Sequence, residues 1–396
     1  MRSAPTTSAD LTDPAFVADP YPLLDELRAA GPVVRQDSGR WLVLDHAGVS
    51  RLLRERALGR VWRDREPTDA LEPFNLLHRH QMMENEPPDH TRLRRPVAAA
   101  FNRGHVERLR PRVRSLAASL LDEAVASGPS FDVVAAYAEP LPVLVIAELL
   151  GVPSSYAPSL RDWSQAIVRM YEHAPSPAVV DAAVAAAEDF AGLVTELAAE
   201  RRRTPPEDRP ADLLSDLVAT ELSDVEVVAS AVLLLNAGHE ASVNVFGNGL
   251  VGLLRAGLRP AADVAVTVEE MLRFDSALQL FERTATAPVD LGGGLVAEPG
   301  DTVALLLGAA NRDPAVFADP ATLDPARSPN PHVAFGAGVH FCLGAPLARM
   351  ELTESLTLLF ERHPDLALAD EPTPRGTFVL RGFNAVPVSL GVESPR

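Results

Sequence analysis

From Val49 to Leu258, Ala, Leu and Val recur at three- and four-residue spacing, broken mainly by Pro and Gly. No other feature constrains the fold as tightly. Apolar residues at that period form one face of a helix, and that face must be buried against other helices. The stretch therefore predicts a large helical lobe. Residues 64–84 read as a long irregular loop, a feature that in compact proteins tends to be functional. Residues 202–211, RRTPPEDRPA, predict a solvated turn between helices.

The two ends read differently. Residues 1–20 predict an extended arm, and Pro22–Ala30 a helix. Gly-bounded alternation predicts a hairpin in GPVVRQDSGRWLVLD (31–45), short strands over 278–314 and another hairpin over 376–392. The expected class is mainly α with small β-sheets, in one domain over 1–396. Its β-containing parts are 1–48, 278–330 and 376–392; residues 49–274 and 343–363 are mostly helical.

Composition narrows the function. A chain of 396 residues that is 47% apolar and 23% charged can bury a large core. Its net charge of −18 argues against a nucleic-acid binder, whose footprint is basic. All 36 basic residues are arginines. A single cysteine excludes an intramolecular disulfide and a Cys-rich zinc site. MRSAPTTSADLTDPAF lacks the basic and apolar regions of a signal peptide, and LPVLVIAELLGVP (141–153) is too short to span a bilayer. The expectation is a cytoplasmic protein with no membrane partner.

Three generic motifs fail on context. GNGLVG (247–252) matches a dinucleotide fingerprint, but it sits in a helical run with no strand before it, so close helix packing explains it better. HEASV (239–243) starts like a zinc-protease helix, yet Val243 stands where the second His belongs. GAGVHF (336–341) ends on Phe341 rather than Gly.

The cysteine lies in HVAFGAGVHFCLGAPLARME (332–351). A free cysteine is by default a small buried hydrophobe. Gly336, Gly338 and Gly344 instead suggest a tight loop that approaches a flat group closely. Pro346 suits the first turn of a following helix, whose positive end favours a thiolate. Phe335-Gly336-x-Gly338-x-His340-x-Cys342-x-Gly344 resembles the haem-binding signature of the cytochrome P450 family. The resemblance implies the P450 fold, a large helical lobe plus a β-rich lobe with haem between them. It also implies haem b (heme b, iron protoporphyrin IX) with Cys342 as the iron ligand and O2 as co-substrate.

Distant residues fit the same family. Glu270-Met-Leu-Arg273 puts both charges on one helix face. It resembles the ExxR pair, which Arg327 would complete beneath the haem. His90 and Arg94 in PPDHTRLRR (87–95), Arg283 in FERTATAPVD and His340 match family positions that hold the haem propionates. SAVLLLNAGHEASVNVFGNGLVGLL (230–254) resembles the helix crossing the oxygen-binding face. Ala237 and Gly238 match its small pair, and Glu240 matches its acid.

One position departs from the family: Ala241 stands where a threonine is usual, and Ser242 lies about 100° further round the helix. Three explanations stay open. The substrate supplies a hydroxyl, Ser242 and Glu240 organise water, or the enzyme does chemistry that needs little proton delivery, such as phenol or C–C coupling or peroxide-driven oxidation. By resemblance the pocket would be walled by Phe74, Met82, Met83, Leu233, Leu234, Ala237, Ala241, Leu278 and Leu280. Electrons would come from a ferredoxin and ferredoxin reductase, docking on Arg92, Arg95, Arg103 and Arg349. The implied activity is hydroxylation or epoxidation of a bulky natural product, polyketides and macrolactones included. The alternative of another class is a haem-thiolate ligand sensor without turnover, separated from an enzyme by oxygen incorporation into product.

Overall fold

The computed structural model describes residues 4–172 and 175–390. Its axis is a 32-residue helix, Asp224–Arg255, begun by a capping box in which Ser223 and Glu226 satisfy each other's backbone N–H groups. This central helix is buried along most of its length and packs against the helices Pro140–Leu150, Ala157–Val168, Pro177–Arg203 and Val264–Phe274. The expected helix packing at GNGLVG holds. A Cβ at Gly249 would fall inside Met271, and one at Gly252 would lie 2.9 Å from Leu323.

The β-rich part gathers both sequence ends. Six strands pair in the order Thr6–Thr7, Val33–Gln36, Trp41–Val43, Thr302–Leu305, Phe281–Ala285 and Leu58–Gly59. The 31–45 hairpin forms with Val33 opposite Val43. Arg283, opposite Val303, is carried by this sheet. Helices form over Tyr21–Ala30 and, within the expected extended arm, over Pro14–Ala18, where the Asp13 side chain accepts from two backbone N–H groups. Residues 1–3 of that arm lie outside the described residues.

Two further expectations are corrected. Residues 64–84 contain a helix, Glu72–Arg79, and a tight turn at Met82–Glu84. Arg79 ties this segment together, donating to Asp64 and Glu72 at 2.7 and 2.6 Å, while the Asn75 amide brackets the Arg65 backbone. The 376–392 hairpin does not close on itself. Phe383–Ala385 pairs with Thr373–Pro374, whereas Pro387–Ser389 pairs with Ala367–Leu368 and Ser130–Asp132. Its last two residues, 391 and 392, lie outside the described residues. Among the described residues no helix is long and apolar enough to cross a membrane.

Candidate active site

The Cys342 loop is shaped by its backbone. Cys342 N–H donates to Phe335 O at 3.0 Å, closing the loop. Gly336 and Gly338 adopt φ of 67° and 73°, a region that disfavours side chains. At Gly338 a Cβ would also lie 2.6 Å from Leu53 O. Gly344 needs no such freedom: its φ is −79°, and it caps the Ala345–Arg362 helix with Pro346 in the first turn. Burial pushes the half-buried Cys342 thiol up, while the Gly344 and Ala345 backbone and the Arg94 and Arg349 charges pull it down. Arg94 donates to Phe341 O at 2.7 Å, which fixes it at this loop.

Behind the loop, Glu270 and Arg273 are fully buried and paired at 2.7 Å. Arg273 also donates to the carbonyls of Asn311 and Pro320, both at 2.9 Å, and Thr322. Arg327 donates to both Glu270 oxygens at 3.1 Å, as expected. Asp324 N–H and Asn330 complete the carboxylate's shell. The neighbouring Glu269 holds Arg349 at 2.6 Å and His332 at 3.0 Å, and the Arg349 guanidinium lies 4.5 Å from the Phe335 ring centroid. The ExxR helix thus grips the cysteine loop from two adjacent carboxylates.

On the loop's other flank, four segments bring cations together. His90 and His340 lie ring to ring at 4.7 Å. His90 is buried, yet neither ring nitrogen has a hydrogen-bond partner. Burial, with the His340 and Arg94 charges, pushes it down to about 4. Arg283 is buried and pushed down to about 9 by desolvation and the nearby Arg60 charge. Sequence reasoning missed the carboxylates here: Glu84 pairs with Arg60, and Glu86 bonds His340 at 2.8 Å and accepts from Arg60 N–H at 2.7 Å. A buried imidazole with two orphaned nitrogens, against a histidine that lines one cleft with a buried guanidinium, fits an anionic group such as a haem propionate. A cleft of about 350 Å³ opens here, lined by Leu53, Arg54, Glu86, Arg283 and His340 among others.

Midway along the central helix, burial gives way around Ala237–Gly238 and Ala241–Ser242: Ala237 is exposed, the other three half-buried. Ala237 and Ala241 therefore line an opening. Gly238 has another reason to be glycine, because a Cβ there would meet Ile146 at 3.0 Å in the Pro140–Leu150 helix. Glu240 is buried, paired with Arg375, and 3.7 Å from His239. Arg375 gave no signal in the sequence; only the fold brings it here.

The expected pocket wall divides. Phe74, Met82, Leu233 and Leu234 are buried in the largest apolar cluster, against which Met83 packs. Phe74 stacks on His78 at 4.0 Å. Leu280 belongs instead to a cluster with Phe16, Leu24 and Phe378. Leu278 packs with Val333 and Ala337 of the cysteine loop's approach. The expected basic face is also reduced, since Arg349 is engaged by Glu269 and Arg92 by Glu226 at 2.7 Å.

The thiol loop, the Glu-x-x-Arg grip and the cation cluster together define a haem-thiolate protein. The chain belongs to the cytochrome P450 family. The family model, "Cytochrome P450", matches residues 264–372. The chain is 38% identical to the cytochrome P450 monooxygenase PikC of Streptomyces venezuelae, over 94% of this chain and 91% of that one. It is 36% identical to the 6-deoxyerythronolide B hydroxylase of Saccharopolyspora erythraea, over 97% and 99%. Among solved structures, P450BioI in complex with an acyl carrier protein bearing hexadec-9Z-enoic acid superposes with a TM-score of 0.89 at 32% identity, covering 95% and 99% of the two chains. This chain is accordingly a P450 oxidoreductase, of a family that uses haem b with O2 as co-substrate.

Proposed function

We propose that this chain hydroxylates or epoxidises a bulky natural-product intermediate, with hydroxylated macrolactones as the first class to test. The observation that carries the assignment of residues is the convergence of Cys342 with the orphaned His90 and buried Arg283. Cys342 would bind the haem iron, with Phe335, Gly336 and Gly344 shaping its loop. His90, Arg283 and His340 would hold the propionates, with Arg94 at the loop. Bound there, haem b supplies the redox chemistry by which one atom of O2 enters the substrate and the other leaves as water, consuming two electrons and two protons. Ala237 and Ala241 leave room beside the reacting bond, and Glu240 and Ser242 sit on the faces to either side. The relatives' names support the substrate class: one is a 6-deoxyerythronolide B hydroxylase. Ferredoxin and ferredoxin reductase would supply electrons, approaching Arg95 and Arg103.

A ferric Soret titration against macrolactones, steroids, terpenes and fatty acids tests the substrate class. A saturable high-spin shift with a hydroxylated macrolactone is expected. A shift with steroids or terpenes alone would overturn the class. Ala241→Thr checks the source of protons: with a substrate that supplies its own hydroxyl, product formed per electron pair should barely rise, and a large rise would rule out substrate assistance. Arg283→Ala should speed haem loss by about 10–100-fold, as removal of a group supporting a metal centre does. Transfer of haem to excess apomyoglobin measures it, and an unchanged rate would remove Arg283 from the propionate site.

A further inference from the structure

Three helices meet at a cleft that the haem site does not use. On the helix Arg103–Ala126, Leu109, Val113 and Leu116 fall at i, i+4 and i+7, so they share one face. Val145 and Leu149, at i and i+4 of the helix Pro140–Leu150, face the same space. Leu213, opening the short helix Leu213–Val218, closes the third side. The cleft has a volume of about 190 Å³. Val113, Val145 and Leu213 are buried, whereas Leu109, Leu116 and Leu149 stay half-buried. Its floor is thus aliphatic surface that the fold leaves open, although covering such surface is favourable in proportion to its area. None of the lining residues belongs to the cysteine loop, the Glu-x-x-Arg grip or the cation cluster.

The rim is charged, and most of its charge is already matched. Arg112 Nε donates to both Glu148 oxygens, at 2.7 and 3.1 Å. Asp212 accepts from Arg201 at 3.0 Å and from Ser215 N–H at 2.7 Å. His105 Nδ1 accepts from Arg108 at 3.2 Å, which requires a neutral ring. Asp216, one turn beyond Asp212, is exposed, and among the described residues its carboxylate has neither a hydrogen bond nor an ion pair. The rim therefore presents one uncompensated negative charge beside an apolar floor. A dry cavity of roughly 150 Å³ accepts benzene. The present cleft is a little larger and open on one side, so it takes one ring with a short arm, and Asp216 selects a cationic arm.

We infer that this cleft is a second small-molecule site, for a single-ring apolar cation such as an aryl- or cycloalkyl-ammonium. The inference goes beyond the monooxygenase reading and does not rest on it, because no lining residue is shared with the haem site or with the opening at Ala237 and Ala241.

Benzyltrimethylammonium is the probe, since its quaternary nitrogen has no lone pair and cannot coordinate iron. Haem-loaded protein with isotopically labelled Leu and Val methyl groups is reduced and held as its CO complex, which closes the iron's open position. Saturable methyl shifts are expected at Leu109, Val113, Leu116, Val145 and Leu149, with a Kd of about 1 mM or tighter, within reach of so small a ligand. Asp216→Asn should weaken binding about two- to fivefold, the range of an ion pair at a solvent-exposed carboxylate. Ala211 is exposed at the rim, and Ala211→Trp should obstruct the opening and weaken binding about tenfold or more. Both variants should keep the wild-type thermal midpoint. Phenylacetate, with the same ring and the opposite charge, should give no saturable shift at these methyls. Absence of saturable shifts in the wild type, shifts confined to other residues, or unchanged affinity in both variants would overturn the inference. Phenylacetate binding as tightly as the cation would overturn the ligand class. A CO complex lacking the thiolate spectrum would bring down the monooxygenase reading and leave this inference standing.

Discussion

Cys342→Ser should abolish both the thiolate-type CO difference spectrum and monooxygenase turnover, while haem uptake by the apoprotein remains measurable. Cys342 is the sole thiol of the chain, so no other residue can supply a sulfur ligand. Serine preserves the Cys342 N–H bond to Phe335 O and the two left-handed glycines, so the loop keeps its shape. His90, Arg283 and His340, which would still hold the propionates, are untouched, so uptake should survive when the spectrum does not. The electron-rich sulfur, not the loop, is what favours O–O cleavage. A thiolate spectrum persisting in the variant would remove Cys342 from the iron.

The second large effect concerns the grip behind the loop. Glu270→Ala would leave the Arg273 guanidinium fully buried without its carboxylate, and breaking such a pair costs about 3–5 kcal/mol. Arg273→Lys should fare little better, because one guanidinium serves Glu270 and the carbonyls of Asn311, Pro320 and Thr322 at once. Urea unfolding with constant slope measures both. A change within about 0.5 kcal/mol, the range of ordinary surface exchanges, would show that the pair is not structural. The same carboxylates set an acid limit. Burial acts to raise Glu269, but Arg349 and His332 hold it down to about 2, and Glu270 is also held below its ordinary value. A depressed folded value means stability that is complete above the unfolded value, near 4.5, and lost as pH falls toward 2. Acid unfolding followed by circular dichroism should begin below that upper value and shift to higher pH in Arg349→Ala.

Features written as short contiguous spacing were legible in advance. Glu270 and Arg273 are three apart on one helix, and the Cys342 loop is a run of nearest neighbours, so local geometry alone brings their groups together. The helix over Glu72–Arg79 escapes that reading although Leu71, Phe74 and Leu77 recur at three-residue spacing and are buried; eight residues are short for a helix read from pattern, and Arg79 fastens them to Asp64 and Glu72. The packing reason for a glycine at 238 was likewise out of reach, because Ile146, which a Cβ there would meet at 3.0 Å, is remote in sequence.

By itself, then, the sequence determined the family, the thiol and the local pairs, since each depends on residue types at fixed short intervals that backbone geometry converts directly into proximity. Only the tertiary structure decided what surrounds them. Glu86 against His340, Arg60 against Glu84, and Arg375 against Glu240 join positions tens to hundreds of residues apart. Such pairs carry no periodic signal, because charged residues are mostly solvated and burial alone selects the few that must find a partner.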